Sequence, residues 1–143
     1  MTQTNSSPTI SGVLETSLYV DDLDRSALFY EKLFGFKRLV SDDRLCALSV
    51  QGRQVLLLFK KGASKRAGET PGGTIPAHDG SGSLHMAFAI PSEDLIPWEK
   101  RLTANHVVIE SRVHWQEGGM SLYFRDPDNH SIELAAPGTW TIY

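Results

Sequence analysis

The sequence predicts an α+β fold built from two tandem βαβββ modules. Patterns typical of one strand, one helix and three strands occur twice in the same order along the 143 residues. The stretch ETSLYVDDLD aligns with HMAFAIPSED about 70 residues later, which indicates an internal repeat. The segment between the repeats is rich in Gly, Pro and Ser, as linkers are. We therefore divide the chain into a flexible tail (1–12), module one (13–60), a linker (61–83), module two (84–136) and a C-terminal tail (137–143).

Module one opens with an alternating pattern over residues 13–20, which predicts a strand. The next segment has apolar residues at helical spacing, and Asp22 or Asp24 is suited to cap its first turn. Gly35 is suited to end this helix, because a glycine accepts the left-handed conformation common there. Three more strands are predicted over 37–41, 45–50 and 54–60, with turns at Asp42-Asp43 and Gln51-Gly52.

Module two repeats this order. The apolar stretch LHMAFAI predicts a strand, and PSEDLIPWEKRLTAN predicts a helix with Ser92 as its N-cap. Pro97 falls early in this helix, where a missing N–H group is tolerated. The remaining strands of the module are predicted over 107–114, 120–125 and 131–135.

Composition excludes several classes of function. The net charge is −3 and the sequence contains no extended basic patch, which argues against nucleic-acid binding. No apolar run approaches the roughly 20 residues that cross a bilayer, and the polar N-terminus lacks a signal-peptide core. The single cysteine, Cys46, lies in an apolar run and is expected to be a buried, inert thiol. We expect a cytoplasmic protein that acts on a small molecule.

Three stretches carry a resemblance to a known family: LYVDDLDRSALFYEKLFGF, GSLHMAFAI and SLYFRDPDNHSIEL. With these stretches the chain resembles the vicinal oxygen chelate superfamily, which includes glyoxalase I, extradiol dioxygenases, fosfomycin thiol transferases and bleomycin-binding proteins. The resemblance extends over about residues 13–137. It implies a glyoxalase-like fold, in which the two modules form a cupped mixed sheet that is open on one side and holds a metal ion.

The resemblance also implies the metal ligands. The family positions match Glu15 on the first strand of module one, and His85 and Glu133 on the first and last strands of module two. These residues would hold one divalent metal ion, and this mixture of carboxylate and imidazole admits Mn, Fe, Co, Ni or Zn. Family members commonly form homodimers, so we expect a homodimer. The sequence leaves open whether the site lies within one chain or is shared between subunits.

Strand alternation is consistent with these ligands. His85 alternates with the apolar Met86, and Glu133 alternates with Ile132, so each ligand faces away from its expected core. Two carboxylates and an imidazole brought together would repel one another unless a cation were bound between them. This explains why a glutamate interrupts the apolar strand SIELA.

Each ligand also has a purely structural interpretation. Glu15 would then be exposed on an edge strand, His85 would be a hydrogen-bonded core residue, and Glu133 would pair with Arg125 or Arg112. A neighbouring histidine, His130, is expected to be structural. Residues three apart on a strand face opposite sides, so His130 does not join Glu133 but ends the turn DPDN.

We expect a metal-dependent lyase or isomerase. In this hypothesis the ion chelates adjacent oxygens of a small substrate and stabilises the enediolate that forms when a C–H proton leaves. Glu133 or Glu15 shuttles the proton. Four residues are expected to bind the substrate in the cup. Ser17 and Tyr123 would donate or accept hydrogen bonds, Leu57 would form an apolar wall, and Trp115 would cover the site.

Two alternatives remain open: a non-haem iron dioxygenase and a binding protein that sequesters a drug without chemistry. Glyoxalase I enzymes carry a fourth glutamate ligand where this chain has Leu57, and extradiol dioxygenases have a second histidine in place of Glu15. Fosfomycin transferases resemble the chain at Ser121 and Tyr123. However, Glu117 lies in the matching loop and no arginine follows it at the chain end, so antibiotic transfer is not expected.

Overall fold

Two four-stranded mixed sheets form the frame of the protein in the computed structural model, which describes residues 6–143. Module one contains β1 (Glu15–Val20), α1 (Leu23–Phe34), β2 (Lys37–Ser41), β3 (Leu45–Val50) and β4 (Gln54–Lys60). The linker contains β5 (Gly68–Thr70) and β6 (Gly73–Ile75). Module two contains β7 (His85–Ala89), a 3₁₀ turn (Ser92–Asp94), α2 (Leu95–Ala104), β8 (Ser111–His114), β9 (Met120–Arg125) and β10 (Ser131–Ala135).

The two sheets have the same topology. Their strand orders are β1-β4-β3-β2 and β7-β10-β9-β8, so the first strand of each module pairs in parallel with the last. β1 and β7 are therefore edge strands at corresponding positions. The repeated βαβββ order and the α+β class that the sequence predicts are confirmed.

A single hydrophobic core joins the two modules. Alternate residues of both sheets point into it, including the fully buried Leu58 of β4 and Phe124 of β9. Helix α1 lies within this core, and its Phe34 ring contacts Phe88 of β7 at a centroid distance of 4.9 Å. The faces of the two sheets that carry the polar candidate residues are consequently turned away from the shared core.

Most of the predicted local signals are confirmed. Asp22 caps α1 by accepting from the Arg25 N–H at 3.0 Å, and Gly35 ends the helix with a φ of 73°. Gln51 and Gly52 both have positive φ in the hairpin turn between β3 and β4. None of the helices over residues 6–143 is both long and apolar enough to cross a membrane.

Three details differ from the sequence-based expectation. Ser92 makes no capping hydrogen bond but begins a 3₁₀ turn, and α2 follows it from Leu95. β8 starts at Ser111 instead of residue 107, because the preceding segment is still closing the helix end, where the Val107 N–H bonds to the Leu102 carbonyl. The linker is not irregular throughout, because β5 and β6 form a hairpin within it.

Candidate active site

His85 and Glu133 meet on the polar face of the module-two sheet. They lie on the adjacent strands β7 and β10, where Glu133 pairs with Ala87 and Ser131 with His85. The His85 Nε2 atom is 3.3 Å from the Glu133 Oε1 atom. The Glu133 side chain is only 8% exposed, whereas that of His85 is 53% exposed. The pair thus presents one buried oxygen and one accessible nitrogen on the polar face of the module-two sheet.

Hydrogen bonding determines which nitrogen of His85 is free. Its Nδ1 atom is 2.9 Å from the Ser131 carbonyl oxygen, which can only accept, so Nδ1 carries the proton. In the neutral ring Nε2 then holds a lone pair that faces the carboxylate of Glu133. Two electron-rich atoms in this position are suited to share a cation. A backbone carbonyl that orients the far nitrogen is also the usual arrangement of a metal-binding histidine.

Glu133 is held from the opposite side by a short chain of hydrogen bonds. Ser121 donates its hydroxyl to Glu133 Oε2 at 2.6 Å, and Trp115 donates its indole N–H to the Ser121 oxygen at 2.8 Å. Oε2 is thereby engaged, and Oε1 is directed toward His85. Both arginines proposed as structural partners of Glu133 bond elsewhere: Arg125 pairs with Glu110, and Arg112 pairs with Glu99.

Tyr123 lies on the same polar face of the module-two sheet. It is the strand partner of Glu133, and its ring is stacked 6.1 Å from the His85 ring. Partial burial, followed by the negative charge of Glu133, raises the pKa of the Tyr123 phenol. The phenol therefore stays protonated at neutral pH and can donate a hydrogen bond.

Glu15 lies on the polar face of the other module. Together with Ser17 and Leu57 it lines a cavity of about 580 Å³, and the strand register pairs Ser17 with Leu57. Within a single chain Glu15 is an exposed residue of an edge strand. Across residues 6–143, no three His, Cys, Asp or Glu side chains come together as a metal site. One chain thus brings His85 and Glu133 together and leaves Glu15 apart from them.

The turn after β9 is structural, as expected. The Asp126 carboxylate accepts from the Asp128 and His130 N–H groups at 2.9 Å each, and Asn129 has a φ of 65°. His130 is fully buried between the modules: its Nδ1 accepts from the Leu84 N–H, and its Nε2 therefore donates to the Tyr19 carbonyl. No nitrogen of His130 is left for a metal.

Sequence reasoning assigned no role in the site to Ser121 or His78. Ser121 had a usable signal, because it alternates with Tyr123 on a strand that pairs with the one carrying Glu133. His78 had none, because it follows no periodic pattern in the linker; its Nδ1 lies 2.7 Å from the Tyr19 hydroxyl. Cys46 is buried, as predicted.

Comparison with known proteins places the chain among enzymes of several activities. Residues 12–134 match the profile of the "Glyoxalase/Bleomycin resistance protein/Dioxygenase superfamily". The chain is 34% identical to the metallothiol transferase FosB of Bacillus licheniformis over 126 residues, which are 87% of this chain and 75% of that protein. It is 29% identical over 127 residues to a catechol-2,3-dioxygenase of Bacillus subtilis, covering 86% of this chain and 41% of that protein.

A solved structure is also similar to this chain in both sequence and fold. The crystal structure of a lactoylglutathione lyase from Agrobacterium tumefaciens is 32% identical to this chain, with a TM-score of 0.85. The match covers 94% of this chain and 99% of the lyase.

Proposed function

Because the chain belongs to the glyoxalase/bleomycin resistance protein/dioxygenase superfamily, we propose that it is a metal-dependent lyase or isomerase. One divalent ion would be held by His85, Glu133 and Glu15. The substrate is a small molecule with oxygens on two adjacent carbons. The reaction moves a C–H proton from one of these carbons to the other and a hydroxyl proton between their oxygens, so that one carbon is oxidised, its neighbour is reduced and no further reactant is needed.

One observation carries this proposal: His85 Nε2 lies 3.3 Å from the buried carboxylate oxygen Oε1 of Glu133. This distance is longer than the 2.7–2.9 Å typical of a charge-assisted N–H···O bond. It suits two side chains that would hold a common ion. The imidazole and carboxylate donors fit Mn, Fe, Co, Ni or Zn.

We propose that Glu15 reaches this site from a second copy of the chain. The polar faces of the two modules both point away from the shared core, so Glu15 does not approach His85 of its own chain. The edge strands β1 and β7 border an apolar groove of about 630 Å³, and Val13 and Leu14 at its rim are exposed. A homodimer that covers this groove would bury these side chains and complete the ligand set.

The residues of the cup have separable roles in this mechanism. A bound divalent ion would supply Lewis-acid polarisation of the two substrate oxygens. Glu133 takes the C–H proton on its carboxylate and returns it to the neighbouring carbon. Ser121 keeps the other carboxylate oxygen of Glu133 in place, and the protonated Tyr123 donates a hydrogen bond to the substrate. Trp115 limits the entry of water above Glu133.

Proton exchange with solvent tests the proposed reaction. Protein loaded with each candidate metal is incubated in D₂O with a panel of 2-oxo and 2-hydroxy compounds, and NMR measures deuterium at the adjacent carbons. We expect exchange with wild type, and a loss of at least 100-fold in Glu133→Gln, which removes both a metal ligand and the proton acceptor. The exposed Glu110→Gln is the matched control and should exchange like wild type.

Elemental analysis of the same preparations separates the alternatives. A metal-loaded protein without any exchange contradicts the isomerase proposal. Oxygen uptake with catechols after iron loading indicates the dioxygenase alternative, and tight drug binding without metal indicates the sequestering alternative.

A second candidate reaction is the addition of a thiol to a small electrophile. The relative from Bacillus licheniformis is named a metallothiol transferase, and the solved structure is named a lactoylglutathione lyase. Ser121 and Tyr123, at positions where the chain resembles thiol transferases, both lie beside Glu133. Phosphorus NMR of fosfomycin incubated with glutathione or cysteine and metal-loaded protein would detect a thiol adduct. No adduct with any metal contradicts fosfomycin transfer.

A further inference from the structure

Three polar side chains gather at the end of the module-one cavity that is remote from Glu15. Tyr19 and His78 line this cavity together with Arg44. Tyr19 lies four residues beyond Glu15 on the same face of β1, so their Cα atoms are about 13 Å apart. Arg44 lies at the same end, because the next residue, Leu45, pairs with the Phe59 that pairs with Tyr19.

Tyr19 and His78 form a fixed pair. The Tyr19 hydroxyl is 2.7 Å from His78 Nδ1, and the imidazole packs edge-on against Phe59 at a centroid distance of 4.4 Å. The backbone N–H of His78 donates to the Ser64 carbonyl at 2.9 Å, which holds this part of the linker beside the cavity. Among residues 6–143, His78 Nε2 has no hydrogen-bond partner, so it remains available to a ligand.

Arg44 brings a positive charge without a balancing carboxylate. Its guanidinium packs against Gly68 and makes one long hydrogen bond, of 3.4 Å, to the Arg66 carbonyl. No ion pair joins Arg44 to any carboxylate of the described residues. Among the side chains that line the cavity, Glu15 alone is a carboxylate, and it lies at the opposite end. A half-buried guanidinium in this position is suited to bind an anion.

Between the two polar ends the cavity wall is mostly apolar. Leu57 lies on the strand next to β1, and Ser17 is its partner in the register. A ligand that contacts both ends must therefore cross an apolar stretch.

We infer that Arg44, Tyr19 and His78 form a binding site for an anionic group at the distal end of the substrate. The substrate class is then an elongated small molecule with adjacent oxygens at one end and a carboxylate or phosphate about 10 Å away. The assignment of the near end rests on the proposed function, whereas the anion site rests on the cavity itself.

Two ligands of equal chain length test this inference: 2-oxodecanoate and 2-oxodecanedioate, which differ only in the terminal carboxylate. Calorimetry with Mn²⁺-loaded wild type should show about tenfold tighter binding of the diacid. Arg44→Met keeps the aliphatic stem and should abolish this preference, whereas Arg44→Lys should keep part of it. Tyr19→Phe should reduce it. Lys100→Met is the control: this exposed lysine lies outside the cavity and should leave the tenfold preference intact.

The ratio of the two affinities separates this inference from the proposed function. His85→Ala should weaken both ligands by the same factor and leave their ratio unchanged. If His85→Ala has no effect on either ligand while the diacid preference persists, the metal proposal fails and the anion site stands. Equal affinity of wild type for both ligands overturns the anion site, as does a diacid preference that survives in a folded Arg44→Met variant.

Discussion

At the scale of single residues, a buried phenol connects the two modules. The Tyr30 hydroxyl donates to Asp126 Oδ2 at 2.7 Å, and both side chains are buried. Burial, and then the negative charge of Asp126, raise the pKa of Tyr30 well above its ordinary value of 10.0. A raised pKa in the folded state means that this contribution to stability is complete below about pH 10 and is lost as the pH rises further.

Tyr30→Phe should therefore lower the free energy of unfolding by about 1–3 kcal/mol at pH 7, because Asp126 Oδ2 loses its donor. The decline in stability above about pH 10 should be shallower in the variant, since the raised pKa is gone. Urea unfolding from pH 7 to 11 measures both effects. An equally steep alkaline decline in the variant would argue against this role of Tyr30.

The hydroxyl of Ser121 has a different role, which concerns the site and not the fold. Ser121→Ala should weaken metal binding by about 10- to 100-fold, because Glu133 loses the bond that directs Oε1 toward His85. Ser131→Ala is a matched control, since the carbonyl that accepts from His85 is retained. Metal titration of both variants decides the matter, and equal affinities would show that Ser121 does not position Glu133.

At the scale of elements, most features that depend on residues close in sequence were predicted correctly, whereas features that depend on distant contacts were not. Helix α1 was predictable because its limits depend on its own residues, Asp22 and Gly35. The faces of His85 and Glu133 were predictable because strands alternate. The β5–β6 hairpin was not, because its strands have three residues each and their pattern is too short to recognise. His78 depends on a contact with Tyr19, which is 59 residues away in sequence.

The linker packs closely on β1 at Gly80. A Cβ atom on Gly80 would lie 2.3 Å from the Tyr19 ring. Gly80→Ala should therefore displace the linker, lower the free energy of unfolding by about 1–3 kcal/mol and weaken binding at the anion site. Gly72→Ala, whose Cβ meets nothing closer than 3.9 Å, should leave both unchanged. Urea unfolding and diacid titration of the two variants would show whether the contact matters.

At the scale of the whole molecule, the proposed site depends on the meeting of two chains. Sequence reasoning named Glu15, His85 and Glu133 but left open how they meet, since that depends on how the modules share a core. Mixed dimers offer a direct test. Glu15→Gln and Glu133→Gln should each bind little metal alone, but a refolded equimolar mixture should recover about a quarter of the wild-type sites. Size-exclusion chromatography checks the dimer, and no recovery in a mixture that is dimeric contradicts a shared site.

The contacts between α1 and module two also determine whether the two modules can fold as separate chains. The Asp128 side chain of module two is fully inaccessible to solvent, and its partners are Arg25, Ser26 and the Asp21 N–H of module one. Severing the chain in the linker would remove these donors and expose the apolar core that the two modules share, a penalty neither half can relieve alone. The halves should stay unfolded separately and assemble into a native complex when mixed. Although the two modules repeat one another in sequence, neither is an independent folding unit, because each needs the contacts that the other provides.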